Sequence, residues 1–186
     1  MIIWYIVYCQ NQKESKVISA CKSRLNREVL QDAFVFTCDR MRRYEGAWHL
    51  ERGLLFPGYV FLESGNGEQL LWELKQHTEM CWMLENNGSQ LKAVEPEEER
   101  FLQSLCGTAH HSGMSRGYIY NGRTFVTEGP LQGKESLIRK IDRHKRIARV
   151  GLDPENRAGR NSSGQSGGSC TGFQELQVGL EIVTKC

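Results

Sequence analysis

With 186 residues, 39% of them hydrophobic, the chain has apolar material for one ordinary domain or two small ones with modest cores. Its net charge of +2 conceals an asymmetry: residues 1–106 carry 12 Lys/Arg against 15 Asp/Glu, a balance of −3, whereas residues 107–186 carry 12 against 7, a balance of +5. Seven cysteines, odd in number and without a C-x-x-C pair, argue against a disulfide framework or a zinc ribbon and favour reduced thiols in the cytoplasm.

Residues 2–9 are β-branched and aromatic and are followed by a polar break, the pattern of a buried first strand; the run has no basic leader and is too short for a membrane span. Val17, Ile18, Cys21 and Leu25 then recur at helical spacing opposite Lys13, Glu14, Lys16, Lys22 and Arg24. Two strands are expected over 33–41 and 48–62, joined through a polar tip at 42–46 whose Gly46 permits a turn. Within the second, residues 53–62 are apolar on both faces, and a surplus apolar face in a small domain predicts a docking surface. Asn66 caps a helix bearing Leu70, Leu71 and Leu74, and residues 80–84 return as a fourth strand. Pro96, followed by Glu97, Glu98 and Glu99 at the positive end of the dipole, starts a third helix with Phe101, Leu102 and Leu105 as one stripe and Gly107 at its end.

The order describes an α+β fold, an N-terminal antiparallel sheet flanked by helices over residues 1–106. Residues 107–117 have no periodicity and read as a linker. Short β-type runs at 124–127, 136–141, 147–152 and 176–184 make residues 118–186 a small β-barrel, interrupted by a Ser/Gly-rich insertion at 154–172 that is expected to be flexible.

Three segments, Trp4-Tyr5, Leu55-Phe-Pro-Gly-Tyr-Val-Phe61 and Val126-Thr-Glu-Gly-Pro-Leu-Gln-Gly133, resemble the NusG family of transcription elongation factors, and the resemblance covers nearly the whole chain. It implies an N-terminal NGN domain that binds RNA polymerase and a C-terminal KOW domain with an SH3-like barrel. Housekeeping members carry a Ser-Trp-Tyr-Val-Val-Arg type segment and a Phe-Val-Gly turn; this chain has Leu71-Trp-Glu-Leu-Lys75 and Trp82-Met-Leu-Glu-Asn86, which favours a specialised paralog. Arg40-Met-Arg-Arg-Tyr-Glu-Gly46, Glu128-Gly-Pro-Leu-Gln-Gly-Lys134 and Leu137-Ile-Arg-Lys-Ile-Asp-Arg-His-Lys-Arg146 look most like the LoaP subgroup, whose members promote processive antitermination and recognise an RNA hairpin in the leader transcript. Ser136 departs from the pattern, standing where KOW motifs usually have a second turn glycine.

The resemblance assigns polymerase contact to Ile6, Tyr8, Phe56 and Tyr59, which would grip the clamp helices of the largest subunit. Arg139, Lys140, Arg143, His144, Lys145, Arg146 and Arg149 place six full charges and an imidazole within eleven residues, a pattern suited to phosphate neutralisation and to stacking on the unpaired bases of an RNA hairpin. Arg42 and Arg43 at the hairpin tip, with Lys13, Lys16, Lys22, Arg24 and Arg27, are candidates for a secondary nucleic-acid surface, which the resemblance places near the polymerase and upstream or non-template DNA. His110-His111 lies beside Ser112 with no acidic neighbour, Cys38-Asp39 has no nearby histidine, and no phosphate loop or nucleotide motif occurs. The expectation is therefore a monomeric non-enzyme without metal or cofactor. The rival readings are a general NusG factor bridging polymerase to a termination factor or the ribosome, a paralog recruited by non-template DNA, and a ribosome-associated KOW protein; the weak basicity of residues 1–106 speaks against the last.

Overall fold

A computed structural model describes residues 2–77, 91–151 and 175–185. The expected strand at 80–84 and the insertion at 154–172 lie outside the described residues. The fold is mixed α+β, with three α-helices among the described residues, and the chain divides into two compact units, one formed by residues 1–35 and 56–99, the other by 36–55 and 100–186.

The first unit is built on an antiparallel sheet of order β2-β5-β1-β6, comprising β1 (Ile3–Tyr8), β2 (Asp32–Phe34), β5 (Tyr59–Ser64) and β6 (Lys92–Ala93). β1 and β5 run side by side with Val7 opposite Val60 and Ile6 opposite Phe61, and alternation sends the members of each pair to opposite faces from their neighbours. On one face Val7, Cys9, Ala33, Val60 and Leu62 form a core with Val17, Cys21 and Leu25 and with Leu70 and Leu74. These last residues come from α1 (Glu14–Arg24) and α2 (Gly67–Gln76) and from the residue that closes α1. Both helices follow the sequence expectation: Glu14 and Lys22/Arg24 sit at the ends the dipole favours, and the Asn66 side chain accepts a hydrogen bond from Gln69 N at 3.1 Å.

The expected strands 33–41 and 48–62 are each broken in two. The first becomes β2 and β3 (Thr37–Tyr44), and the second becomes β4 (Ala47–Leu54) and β5, with Leu55–Gly58 as the break. Pro57 cannot donate to a ladder, and Gly58 N instead donates to the buried Glu14 carboxylate at 2.7 Å, which anchors the break to the start of α1. The single N-terminal sheet expected from sequence is thus two sheets, because β3 pairs with β4 on one side and with β7 (His111–Ser112) on the other, in the order β4-β3-β7.

In the second unit β3 and β4 form a regular hairpin whose two-residue loop, Glu45-Gly46, has both φ values positive (51° and 77°), a type I′ turn matched to strand twist. The expected tip at 42–46 is shorter, and Arg42 and Arg43 lie in β3 itself. α3 (Pro96–Cys106) begins at the expected proline and ends at Gly107, whose N–H donates to Gln103 O at 2.8 Å.

A five-stranded sheet follows, of order β10-β11-β12-β8-β9: β8 (Ser115–Tyr120), β9 (Arg123–Glu128), β10 (Ile138–Asp142), β11 (Ile147–Val150) and β12 (Leu176–Lys185). Residues 107–117, expected as a linker, carry a turn, β7 and the start of β8, which is joined to β9 by a second positive-φ turn at Asn121-Gly122. The tight turn read at 126–133 is present: Gly129 has φ +94°, Leu131 is buried, and Leu131 N donates to Ser115 Oγ at 3.1 Å. Ser136 lies on the exposed side of a short 3-10 turn, Glu135–Leu137.

Candidate nucleic-acid interface

In the first unit, the sheet face away from α1 and α2 is aromatic. Trp4 meets Phe34 edge-on at 5.3 Å, Phe34 stacks on Phe61 at 5.8 Å, and Phe56 lies 5.6 Å from Phe61. All four residues assigned to polymerase contact belong to this face, but they differ in access. Ile6 is 0% and Phe56 2% exposed, so these two fill the interior, whereas Tyr8 and Tyr59 are half-buried and pack edge-to-face with centroids 4.7 Å apart. The second apolar face read along residues 53–62 is therefore largely covered, and the aromatic rim formed by Tyr8 and Tyr59 is what reaches solvent.

In the second unit the C-terminal cations follow the β10–β11 hairpin. Its turn is held by Lys145 N donating to Asp142 Oδ1 at 3.0 Å, and by Arg146 at φ +54°. Arg139, Lys140, Arg143, His144, Lys145 and Arg149 are exposed. Arg149 faces Glu175 at 3.9 Å, a loose surface pair worth little. Arg146 is committed elsewhere: its guanidinium pairs with Glu181 at 2.6 Å and lies 4.2 Å over the Trp48 ring, so it fastens the turn rather than offering a free charge.

That contact carries the β10–β11 turn to the β3–β4 hairpin. Between them is a cleft of about 470 Å³. Arg40, Arg42, Arg43 and Arg52 line it from the hairpin, His144 and Lys145 from the turn, and Glu51 is its one lining carboxylate. Arg40 is aimed by its Nη2 donating to Gln177 O at 3.0 Å. Glu51 pairs with Arg42 at 3.5 Å, and Arg52 pairs with Asp39 at 3.5 Å. Among the described residues neither Arg43 nor Lys145 has a carboxylate partner. Of the two basic surfaces read separately from sequence, Arg42 and Arg43 from the first and His144 and Lys145 from the second thus meet at one cleft, while Arg139, Lys140, Arg143, Arg146 and Arg149 do not line it. Sequence reading missed Trp48, Arg40 and Arg52; an aromatic residue closely following a run of arginines was the available signal.

The family model described as transcription termination factor nusG matches residues 3–102, more than half of the chain. The chain belongs to the NusG family. No curated protein matches it. Among solved structures, "Domain interaction in Thermotoga maritima NusG" is similar at 17% identity and a TM-score of 0.48, covering 98% of this chain and 94% of that chain. The matched residues of this NusG-family protein include the aromatic face and the β3–β4 hairpin, whereas the cations at 139–149 lie outside them.

The reading of His110-His111 as a pair without an acidic neighbour is corrected by the tertiary structure. His111 Nε2 lies 3.2 Å from Asp39 Oδ2 and 3.3 Å from Arg52 Nη2, and its Nδ1 lies 2.9 Å from Thr37 Oγ1. The network ties β7 to β3 and β4 and orients Arg52 at the cleft. Cys38 and Cys106 are buried, and burial pushes the Cys106 thiol up to about 12. Burial also raises Cys38, against a smaller opposing influence of Arg40, so neither is poised as a thiolate. Among the described residues no cluster of three metal-binding side chains occurs, and no helix is long and apolar enough to cross a membrane.

Proposed function

We propose that this NusG-family protein is a specialised elongation factor of the LoaP type, a processive antiterminator that docks on RNA polymerase and is recruited by a hairpin in the leader RNA. Residues 1–106 act as the polymerase-binding NGN domain and residues 118–186 as a KOW domain with an SH3-like barrel. The observation that carries the reading is the convergence of the hairpin cations and the turn cations on one cleft. A surface built this way neutralises phosphates from two directions and has the arginines that stack on unpaired bases.

The polymerase contact is made by the aromatic rim, with Tyr8 and Tyr59 touching the clamp helices and Ile6 and Phe56 supporting them from beneath. Holding both contacts on one chain raises the effective concentration of each, so a modest RNA affinity is enough to select an operon while the polymerase contact maintains processivity. The protein acts as a monomer without a cofactor, in the cytoplasm.

Two measurements test this. Tyr8→Glu and Tyr59→Glu together are expected to abolish co-sedimentation with transcribing polymerase while leaving the far-UV circular dichroism unchanged; retained association with a native spectrum would remove the polymerase assignment. Gel shifts with the leader hairpin of the protein's own operon and with a scrambled hairpin test recruitment. Equal affinity for the two would favour a general factor that bridges polymerase to a termination factor or the ribosome. Preferential binding to single-stranded DNA of the non-template sequence would favour the DNA-recruited paralog.

A further inference from the structure

The cleft has a size and lining that go beyond general phosphate attraction. We propose that it seats one unpaired nucleotide of the recruiting RNA, with the phosphate between Arg43 and Lys145 and the base on the Trp48 side. This deepens, and rests on, the RNA-recruitment reading above. At about 470 Å³ the cleft falls within the range of small-ligand sites, and stacked base pairs cannot enter it, so its occupant is a nucleotide pulled out of a helix or belonging to a loop.

The electrostatics select an anion at one end. Arg42 and Arg52 each face a carboxylate at 3.5 Å, and Arg40, which has no carboxylate, donates to the Gln177 carbonyl at 3.0 Å, whereas the side chains of Arg43 and Lys145 have neither an ion-pair nor a hydrogen-bond partner among the described residues. They come from elements about 100 positions apart in the chain and line the same cleft, Arg43 as the cross-strand neighbour of Trp48. Trp48 is kept in place by Arg146 over its ring, so the aromatic wall is already formed before any ligand arrives. A preformed wall reduces the ordering cost of seating a base.

The test uses the full-length protein and four probes: an RNA hairpin with a fixed stem and a randomised loop, the same stem as a blunt RNA duplex, and the DNA versions of both, read by fluorescence anisotropy at several salt concentrations. Arg43→Gln and Lys145→Gln are expected each to weaken binding of the looped RNA about tenfold, to reduce its salt slope by about one, and to leave the blunt duplex unaffected. With thiouridine in the loop, the photocrosslink is expected on the peptide containing Trp48. Both side chains are exposed, and an unchanged melting temperature shows that the variants fold. Equal losses on loop and duplex, no loss on either, or crosslinks confined to other peptides would overturn the proposal. DNA loops bound as tightly as RNA loops would support the nucleotide seat and show that it ignores the sugar. Arg139→Glu with Lys140→Glu, outside the cleft, separates the two levels. If that variant loses all RNA while Arg43→Gln behaves as wild type, recruitment by RNA stands and the nucleotide seat falls. If only the cleft variants lose RNA, the seat stands and the basic-strand reading falls.

Discussion

Gly179→Ala is the substitution that most directly probes how the basic cleft is built. Strand β12 passes β3 so closely at this point that a Cβ on residue 179 would fall 2.6 Å from the Asp39 carbonyl oxygen and against the Met114 sulfur. The methionine can swing away, but the carbonyl belongs to the backbone of β3 and can yield only if one strand moves. Forcing an extra methyl group into such a contact costs about 1–3 kcal/mol. For a chain of this size each kcal/mol lowers the melting temperature by about 2–4 °C, so a drop of about 2–12 °C is expected in calorimetry. The same displacement would stretch the Arg40–Gln177 hydrogen bond, 3.0 Å long and two residues away along β12, and weaken RNA binding at the cleft. Two controls isolate the steric cause. Gly53→Ala meets nothing within 4 Å and has no positive φ, so it should melt within about 1–2 °C of wild type. Gly133→Ala is equally open but sits at φ +72°, and should lose about 1–2 kcal/mol through backbone strain alone. A Gly179→Ala protein that melts with the Gly53→Ala control would refute the close approach of β12 to β3, and with it the cleft.

Other consequences can be checked independently. Asn66→Ala removes the side chain that caps α2 and should cost about 1 kcal/mol in denaturant unfolding, whereas Asn66→Asp should be close to neutral. The Glu135 carboxylate accepts the Val126 N–H at 3.0 Å, and that hydrogen bond holds its pKa below the ordinary carboxylate value. Its stabilising contribution is therefore fully present above the ordinary carboxylate range and is lost as pH falls through the lowered value. Melting temperatures of wild type and Glu135→Gln should differ at neutral pH and converge in acid. Burial pushes the thiols of Cys21 and Cys106 up to about 12, so peptide mapping after mild alkylation of the native protein at pH 8 should find both unmodified, and both should label in denaturant.

What was legible in the sequence was local in origin. α1, α2 and α3 stand where periodicity, the Asn66 cap and Pro96 put them, since a helix satisfies its backbone within one short segment and its signals sit within a turn of its ends. The glycine-marked turn at 126–133 was readable for the same reason. The breaks at residues 35–36 and 55–58 were not, because continuous apolar composition is compatible with one long strand as well as with two strands that leave for different sheets. β7 was missed because His111 and Ser112 owe their strand character to pairing with Thr37 and Cys38, more than seventy residues away; β8, whose start was read as linker, also pairs in parallel with the distant β12.

For the function, the sequence by itself determined the family, the residue types and the fact that cations gather at 42–43 and 139–149, since composition and short motifs carry that information without folding. Tertiary structure alone decided which of them are available. It buried Ile6 and Phe56 and left Tyr8 and Tyr59 at the rim, committed Arg146 to Glu181 and Trp48, gave His111 an acidic partner, and brought Arg43 to the same cleft as Lys145. Each of those outcomes depends on contacts between residues distant in the chain, and a charge or an aromatic ring acts on whatever lies beside it in space.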